Sequence, residues 1–210
     1  MSLTFYPDKP AEWLEALAVV KLRIDDENLP SEQRETMSDT LGSAHTRALD
    51  SDTRERTLDA QLSAARGVRD KKNTQTDRLI IRLSDEMRYR NGSKGFQVLR
   101  SAFGGKNPSV VADQPHDDQL SDTDKFFIEV DARADLDLPT ARVDELRASH
   151  LEFKDAHRAV RDLISEHALA STTAKDDLAA VKPLYRTMVR RVLAIHGEET
   201  AVALLPRFTR

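Results

Sequence analysis

Eight positions between residues 143 and 167 recur in alternating steps of three and four: Val143, Leu146, His150, Phe153, His157, Val160, Ile164 and His167. A helix with 3.6 residues per turn brings all eight to one side, whereas a strand, which alternates faces every second residue, scatters them. The spacing predicts one helix over residues 141–170, on the order of 45 Å long at 1.5 Å per residue. A second seam runs through Leu178, Val181, Tyr185, Met188, Val192 and Ile195. It predicts a further helix that starts at Thr172 or Thr173, kinks at Pro183 and stops at Gly197, with a short amphipathic tail to Phe208.

The first half reads the same way. Pro10 in a first turn and the stripe Trp13, Leu17, Val20, Ile24 predict a helix that opens after Asp8 and runs to about Asn28, where Leu29-Pro30-Ser31 stops it and caps the next. From 31 to 90 the seam continues through Met37, Leu41, Ala44, Ala48, Leu58, Leu62, Ala65, Leu79 and Leu83. Its register also passes through Ser51, Glu55, Arg69, Lys72 and Thr76, so breaks are expected at Asp50-Ser51-Asp52, an N-cap with Glu55 behind it, or at Lys72-Asn73-Thr74. Asn91-Gly92-Ser93-Lys94-Gly95 ends this region, a short helix follows over 96–103, and Gly104-Gly105-Lys106-Asn107-Pro108 breaks the chain. Residues 108–119 read as a loop, and 125–130, strand or single helical turn by pattern, is assigned as a short helix because no second strand would pair with it.

These elements place the chain in the all-α class, as an antiparallel bundle of four or more helices, two or three of them long and heptad-patterned. It reads as one domain over 1–210, with 104–120 as an internal loop between helical halves at about 9–103 and 121–206. Ala64-Ala65-Arg66-Gly67-Val68-Arg69-Asp70 and Ala156-His157-Arg158-Ala159-Val160-Arg161-Asp162 agree at five of seven positions in the same heptad phase, which raises the alternatives of a duplicated hairpin and of coincidence in an Ala-, Arg- and Asp-rich chain.

Composition removes other classes. Seven Gly and eight Pro in 210 residues are too few for the turns of a sandwich or barrel. No apolar run approaches the roughly 18 residues of a spanning helix, and the start lacks the basic and apolar regions of a secretory signal. A soluble, cytoplasmic protein without membrane association is the expectation. With no cysteine there is no disulfide, thiolate metal site or thiol nucleophile.

The net charge of -4 hides an asymmetry. Residues 66–106 hold eleven basic side chains against four acidic, a net of +7, and residues 113–145 hold eleven acidic against three basic, a net of -8. Either the two segments neutralise each other or the basic one meets an external acidic group. Nucleic acid is disfavoured by the acidic balance and by the presence of only Tyr89, Phe96 and Phe103 as aromatics among those cations.

For chemistry, the pattern offers little. There is no Glu-x-x-His, and no histidine has a His, Asp or Glu four residues away, so no metal site or other cofactor is expected. Phosphate-binding glycine loops and a Gly-x-Ser-x-Gly elbow are absent. His150, His157 and His167 share one seam and form either a proton-sensitive or ligand-binding stripe or a set of rings satisfied by facing carboxylates at the seam's margin. The expectation is a non-catalytic interaction, scaffold or assembly module. It engages a protein partner or a second copy through its helices, with Arg66, Arg69, Lys72, Arg78 and Arg82 as the contact face. The alternatives are a ligand-binding or enzymatic pocket at the histidines, and phosphate or nucleic-acid binding through 66–106.

Overall fold

The computed structural model describes residues 3–133 and 136–209. Asp135, counted above in the acidic stretch, and the first two residues lie outside them. The order is β1 (Leu3–Thr4), α1 (Pro10–Asp25), α2 (Ser31–Leu41), α3 (Ala44–Ala102), α4 (Pro108–Ala112), α5 (His116–Ala132), α6 (Thr140–Leu204) and β2 (Phe208–Thr209). Among the described residues the chain is all-α, 85% helical, and two short strands pair antiparallel, Leu3 with Thr209 and Thr4 with Phe208.

Local chemistry explains the helix ends. Pro10 opens α1, and the Glu12 carboxylate accepts from the backbone N–H groups of Asp8 and Lys9, satisfying donors that the first turn leaves orphaned. The seam through Met37, Leu41, Ala44 and Ala48 is interrupted at Gly42, whose φ of 51° ends α2. At Gly92 the backbone again turns positive, with φ 57°, so α3 consists of a long segment and a short one joined by a kink. Gly95 then packs against the carbonyl of Met87, so closely that a Cβ there would lie 2.2 Å from that oxygen.

Elsewhere the helices run through expected breaks. Ser51 is not a cap: it lies inside α3 and its hydroxyl donates to Asp177 of α6. Lys72-Asn73-Thr74 is helical too, with the Thr74 hydroxyl donating to the Asp70 carbonyl. The same four-back bond from Thr172 to Ala168 and from Thr173 to Leu169 carries α6 past its expected start, so the two predicted C-terminal helices are one. Pro183 sits within α6, where the one non-helical residue is Gly197. Residues 108–119 are not a loop: Pro108 opens α4, and His116-Asp117-Asp118 form the first turn of α5, where two carboxylates suit the positive end of the helix. Residues 125–130 belong to that helix.

Two compact units result, Met1–Asp59 with Ser165–Arg210, and Ala60–Ile164. The division falls inside α3 and α6, not at 104–120, because each end of these long helices has its own set of apolar partners. The core of the first unit gathers Trp13, Leu17, Val20, Met37, Leu41, Tyr185, Met188 and Val192, with Trp13 edge-on to Tyr185 at 5.5 Å. The second packs Ile80, Leu83, Met87, Leu99, Phe103, Phe126, Phe127 and Leu146, with Phe103 stacked on Phe126 at 4.3 Å. Within it α3 and α6 run antiparallel, since Lys72 meets Glu152, Thr76 meets Ser149 and Glu86 meets Arg142. The seven-residue match does not carry equivalent packing: Val68 is 52% exposed and Val160 only 1%.

Candidate functional site

In the second unit, α5 and α6 bring histidines and carboxylates into a row. His150 follows Leu146 by four residues on the inward side of α6 and is 2% exposed, so it belongs to the interior and not to a margin. Its Nε2 lies 2.8 Å from Asp124 of α5, and the other Asp124 oxygen accepts from Lys154 at 2.7 Å. Two turns further along α6, His157 Nε2 lies 2.9 Å from Asp117. His116 stands beside it, the two rings 5.9 Å apart and edge-on, with Phe153 5.5 Å from the His116 ring and Asp70 of α3 at 4.0 Å. His167 belongs to the other unit and has Asp59 at 3.9 Å.

The electrostatics favour neutral rings at His150 and His116. Burial pushes the His150 pKa down, against the opposing pull of Asp124. Burial does the same to His116, helped by the nearby Arg69 guanidinium. For Asp124 burial is the largest influence and pushes upward, but the Lys154 ammonium and the His150 ring outweigh it and hold the carboxyl below its usual range. With His150 neutral, its Nε2–H donates to Asp124, and Nδ1 is left buried without a partner among the described residues. Such an arrangement orients a ring and resists its protonation. It does not supply an activated nucleophile, because the neighbouring Ser149 hydroxyl is bonded to Thr76 at 3.0 Å.

Among the described residues, no three His, Asp or Glu side chains are placed to hold a metal ion. Two histidines do meet hydroxyls, His196 with Thr36 at 3.1 Å and His45 with Thr46 at 3.3 Å, but neither ring has a carboxylate within hydrogen-bond distance among the described residues. No described helix is long and apolar enough to cross a membrane.

The five cations expected on one face are divided. Arg69 turns inward, its side chain 18% exposed, and both its Nε and a terminal nitrogen donate to Asp70. Lys72 is engaged by Glu152 at 2.6 Å. Arg78 and Arg82 are exposed and have no ion pair among the described residues, and the same holds for Arg66, which points to a different side of α3. At about 100° per residue, Arg78 and Arg82 share a line about 40° wide with Lys71 and Tyr89. Lys71 is likewise exposed and unpaired, and Tyr89 is 92% exposed. Part of the charge asymmetry is spent internally, where Lys106 of the basic stretch pairs with Asp122 of the acidic one; Arg142 with Glu86 joins the minority charges of the two stretches, and Arg147 pairs with Asp131.

His116, Lys71 and Tyr89 were not among the expected site residues. The signal for His116 lay in the step His116, Leu120, Thr123, Phe127, an apolar-faced helix beginning after Pro115. Lys71 and Tyr89 lie opposite the buried seam and were legible only once the seam's phase was known. No family model, curated protein or solved structure matches the chain.

Proposed function

We propose that the chain is a non-catalytic helical interaction module that holds an acidic helix of a protein partner against the outward line Lys71, Arg78, Arg82 and Tyr89 of α3. The observation that carries the reading is the contrast along one segment. Arg69, Lys72, Arg90 and Lys106 are committed to carboxylates of the chain, while Lys71, Arg78 and Arg82 stand exposed and unpaired in line with a nearly fully exposed tyrosine. Exposed aromatics flanked by cations suit a protein interface, where Tyr and Arg contribute disproportionately. The inner side of α3 is braced by the Thr76–Ser149 and Lys72–Glu152 contacts, which supports a stiff helix presented to a partner. The finer architecture of this proposal is an antiparallel bundle with heptad seams, and a cytoplasmic setting accords with the cysteine-free composition.

The test is fluorescence anisotropy with a labelled helical peptide carrying glutamates at i, i+4 spacing. Binding should weaken steeply with salt, and Arg78→Glu with Arg82→Glu should lower affinity by about tenfold or more. Tyr89→Ala should weaken it at every salt concentration. Unchanged binding in the charge-reversed chain overturns the proposal. A labelled oligonucleotide that binds more tightly than the peptide overturns the choice of partner and assigns the face to phosphate. Light scattering on the free protein at low and high salt reads self-association as a separate outcome.

A further inference from the structure

We infer that the first unit carries a binding site for a small zwitterion with an aliphatic body, a free α-amino acid of the leucine class. A cavity of about 380 Å³ opens between α1, α3 and α6. Its size is at the small end of ligand cavities and leaves no room for a dinucleotide. Half-buried Leu14 from α1 and Leu178 from α6 supply an apolar lining. Asp52 and Glu55 enter from α3, and Lys175 and Lys182 from α6.

The charges are what distinguish this cavity from loose packing. Asp52 is occupied by Arg56 at 2.9 Å. Glu55, Lys175 and Lys182 have no ion pair among the described residues, although all three residues line the same cavity. Opposite charges that share a cavity without pairing leave it polarised, with the half-buried Glu55 on the α3 wall and the lysines on the α6 wall. An α-amino acid fits that polarity: its ammonium meets Glu55, its carboxylate meets the lysines, and an aliphatic side chain covers Leu14 and Leu178. Glu55 also occupies a seam position where Leu58 and Leu62, its successors, are buried apolar residues. A carboxylate there gives up apolar contact that a purely structural seam would keep.

The site has a built-in reporter. Lys182 Nζ lies 5.5 Å from the ring centre of Trp13, the chain's only tryptophan. A ligand carboxylate that draws Lys182 toward itself changes the charge over the indole and hence its emission. The experiment is titration of the intact protein with L-leucine, followed by Trp13 fluorescence and by calorimetry. N-acetyl-L-leucine, which lacks the ammonium, and L-leucinamide, which lacks the carboxylate, are titrated in parallel. Saturable binding of L-leucine is expected, with affinity about tenfold or more weaker for each blocked analogue and for Glu55→Gln, as loss of a charge-assisted contact implies. Absence of saturable heat and emission change with L-leucine overturns the inference. So does binding of both analogues as tightly as L-leucine, which would mean that the apolar lining alone holds the ligand. The analogue comparison needs no variant, and the peptide assay above uses residues of the other unit, so failure of either proposal is distinguishable from failure of the other.

Discussion

Gly95 separates two physical effects that predict opposite signs. It lies in the short helical segment after the Gly92 kink, and its φ is not in the left-handed region. By helix propensity alone, alanine should stabilise such a position by about 0.8–1 kcal/mol. The packing says otherwise: the added Cβ would sit 2.2 Å from the Met87 carbonyl oxygen, 3.0 Å from its carbon and 2.9 Å from the Asn91 Cβ. The first obstacle is backbone, not the tip of a flexible side chain, so the segment must move by on the order of 1 Å, at a strain cost in the upper part of the overpacking range, about 2–3 kcal/mol. The net for Gly95→Ala is a loss of roughly 1–2 kcal/mol, or about 2–8 °C in Tm for a chain of this size. Gly67 is the control. It lies mid-helix in α3, and a Cβ added there would have nothing within 4 Å, so Gly67→Ala should stabilise by up to about 1 kcal/mol. Urea denaturation followed by far-UV circular dichroism reads both. A Gly95→Ala chain as stable as the parent, or more so, refutes the close approach after the kink.

Other consequences follow from the buried polar groups. Thr76→Val leaves the Ser149 hydroxyl buried without its partner and should cost about 1–3 kcal/mol, while Thr76→Val with Ser149→Ala should cost less than the sum of the single changes; additivity in the denaturation cycle would disprove the coupling. The Tyr185 hydroxyl is fully buried without a hydrogen-bond partner among the described residues, so Tyr185→Phe should keep or raise stability by up to about 1 kcal/mol, and a large loss would show an unseen bond. His150 has a lowered pKa from burial, so the unfolded chain binds its proton first as pH falls below about 6.5, and the stability contributed by the neutral ring is lost progressively until the folded value is passed. The urea midpoint should fall over that window, and His150→Phe should flatten the slope; an unchanged slope would remove His150 as its source, leaving His45 and His116, whose values burial also lowers.

The apolar seams were sufficient to announce helices, because burial of one stripe requires the same period wherever the partner lies. Trp13, Leu17 and Val20, and Val143, Leu146, Phe153 and Val160, are buried as their spacing implies. Extending the seams was less secure: Ile164 and Ile195, on the same register, are exposed, while Val189 is buried instead. A strict seven-residue repeat drifts against a 3.6-residue helix, so the contact line passes to neighbouring positions over several turns. Expected breaks failed to form where threonines and aspartates offered caps. A hydroxyl that can cap a helix can equally bond back to the carbonyl four residues earlier, and only neighbouring elements decide between them.

What the sequence by itself determined is therefore the helical class, the identity of most inward residues and the strong glycine turns at Gly92, Gly104 and Gly197, all consequences of local sterics and period. Tertiary structure alone decided which charges are spent and which remain. Arg69 and Arg78 are the same residue type in the same basic run, yet one is turned inward onto Asp70 and the other is exposed and unpaired. His116, expected in a loop, stands against His157, 41 residues later in the chain. Helix period sets a residue's angle about its own axis, but the group it meets depends on how other helices pack against that face, and that information is distributed over the whole chain.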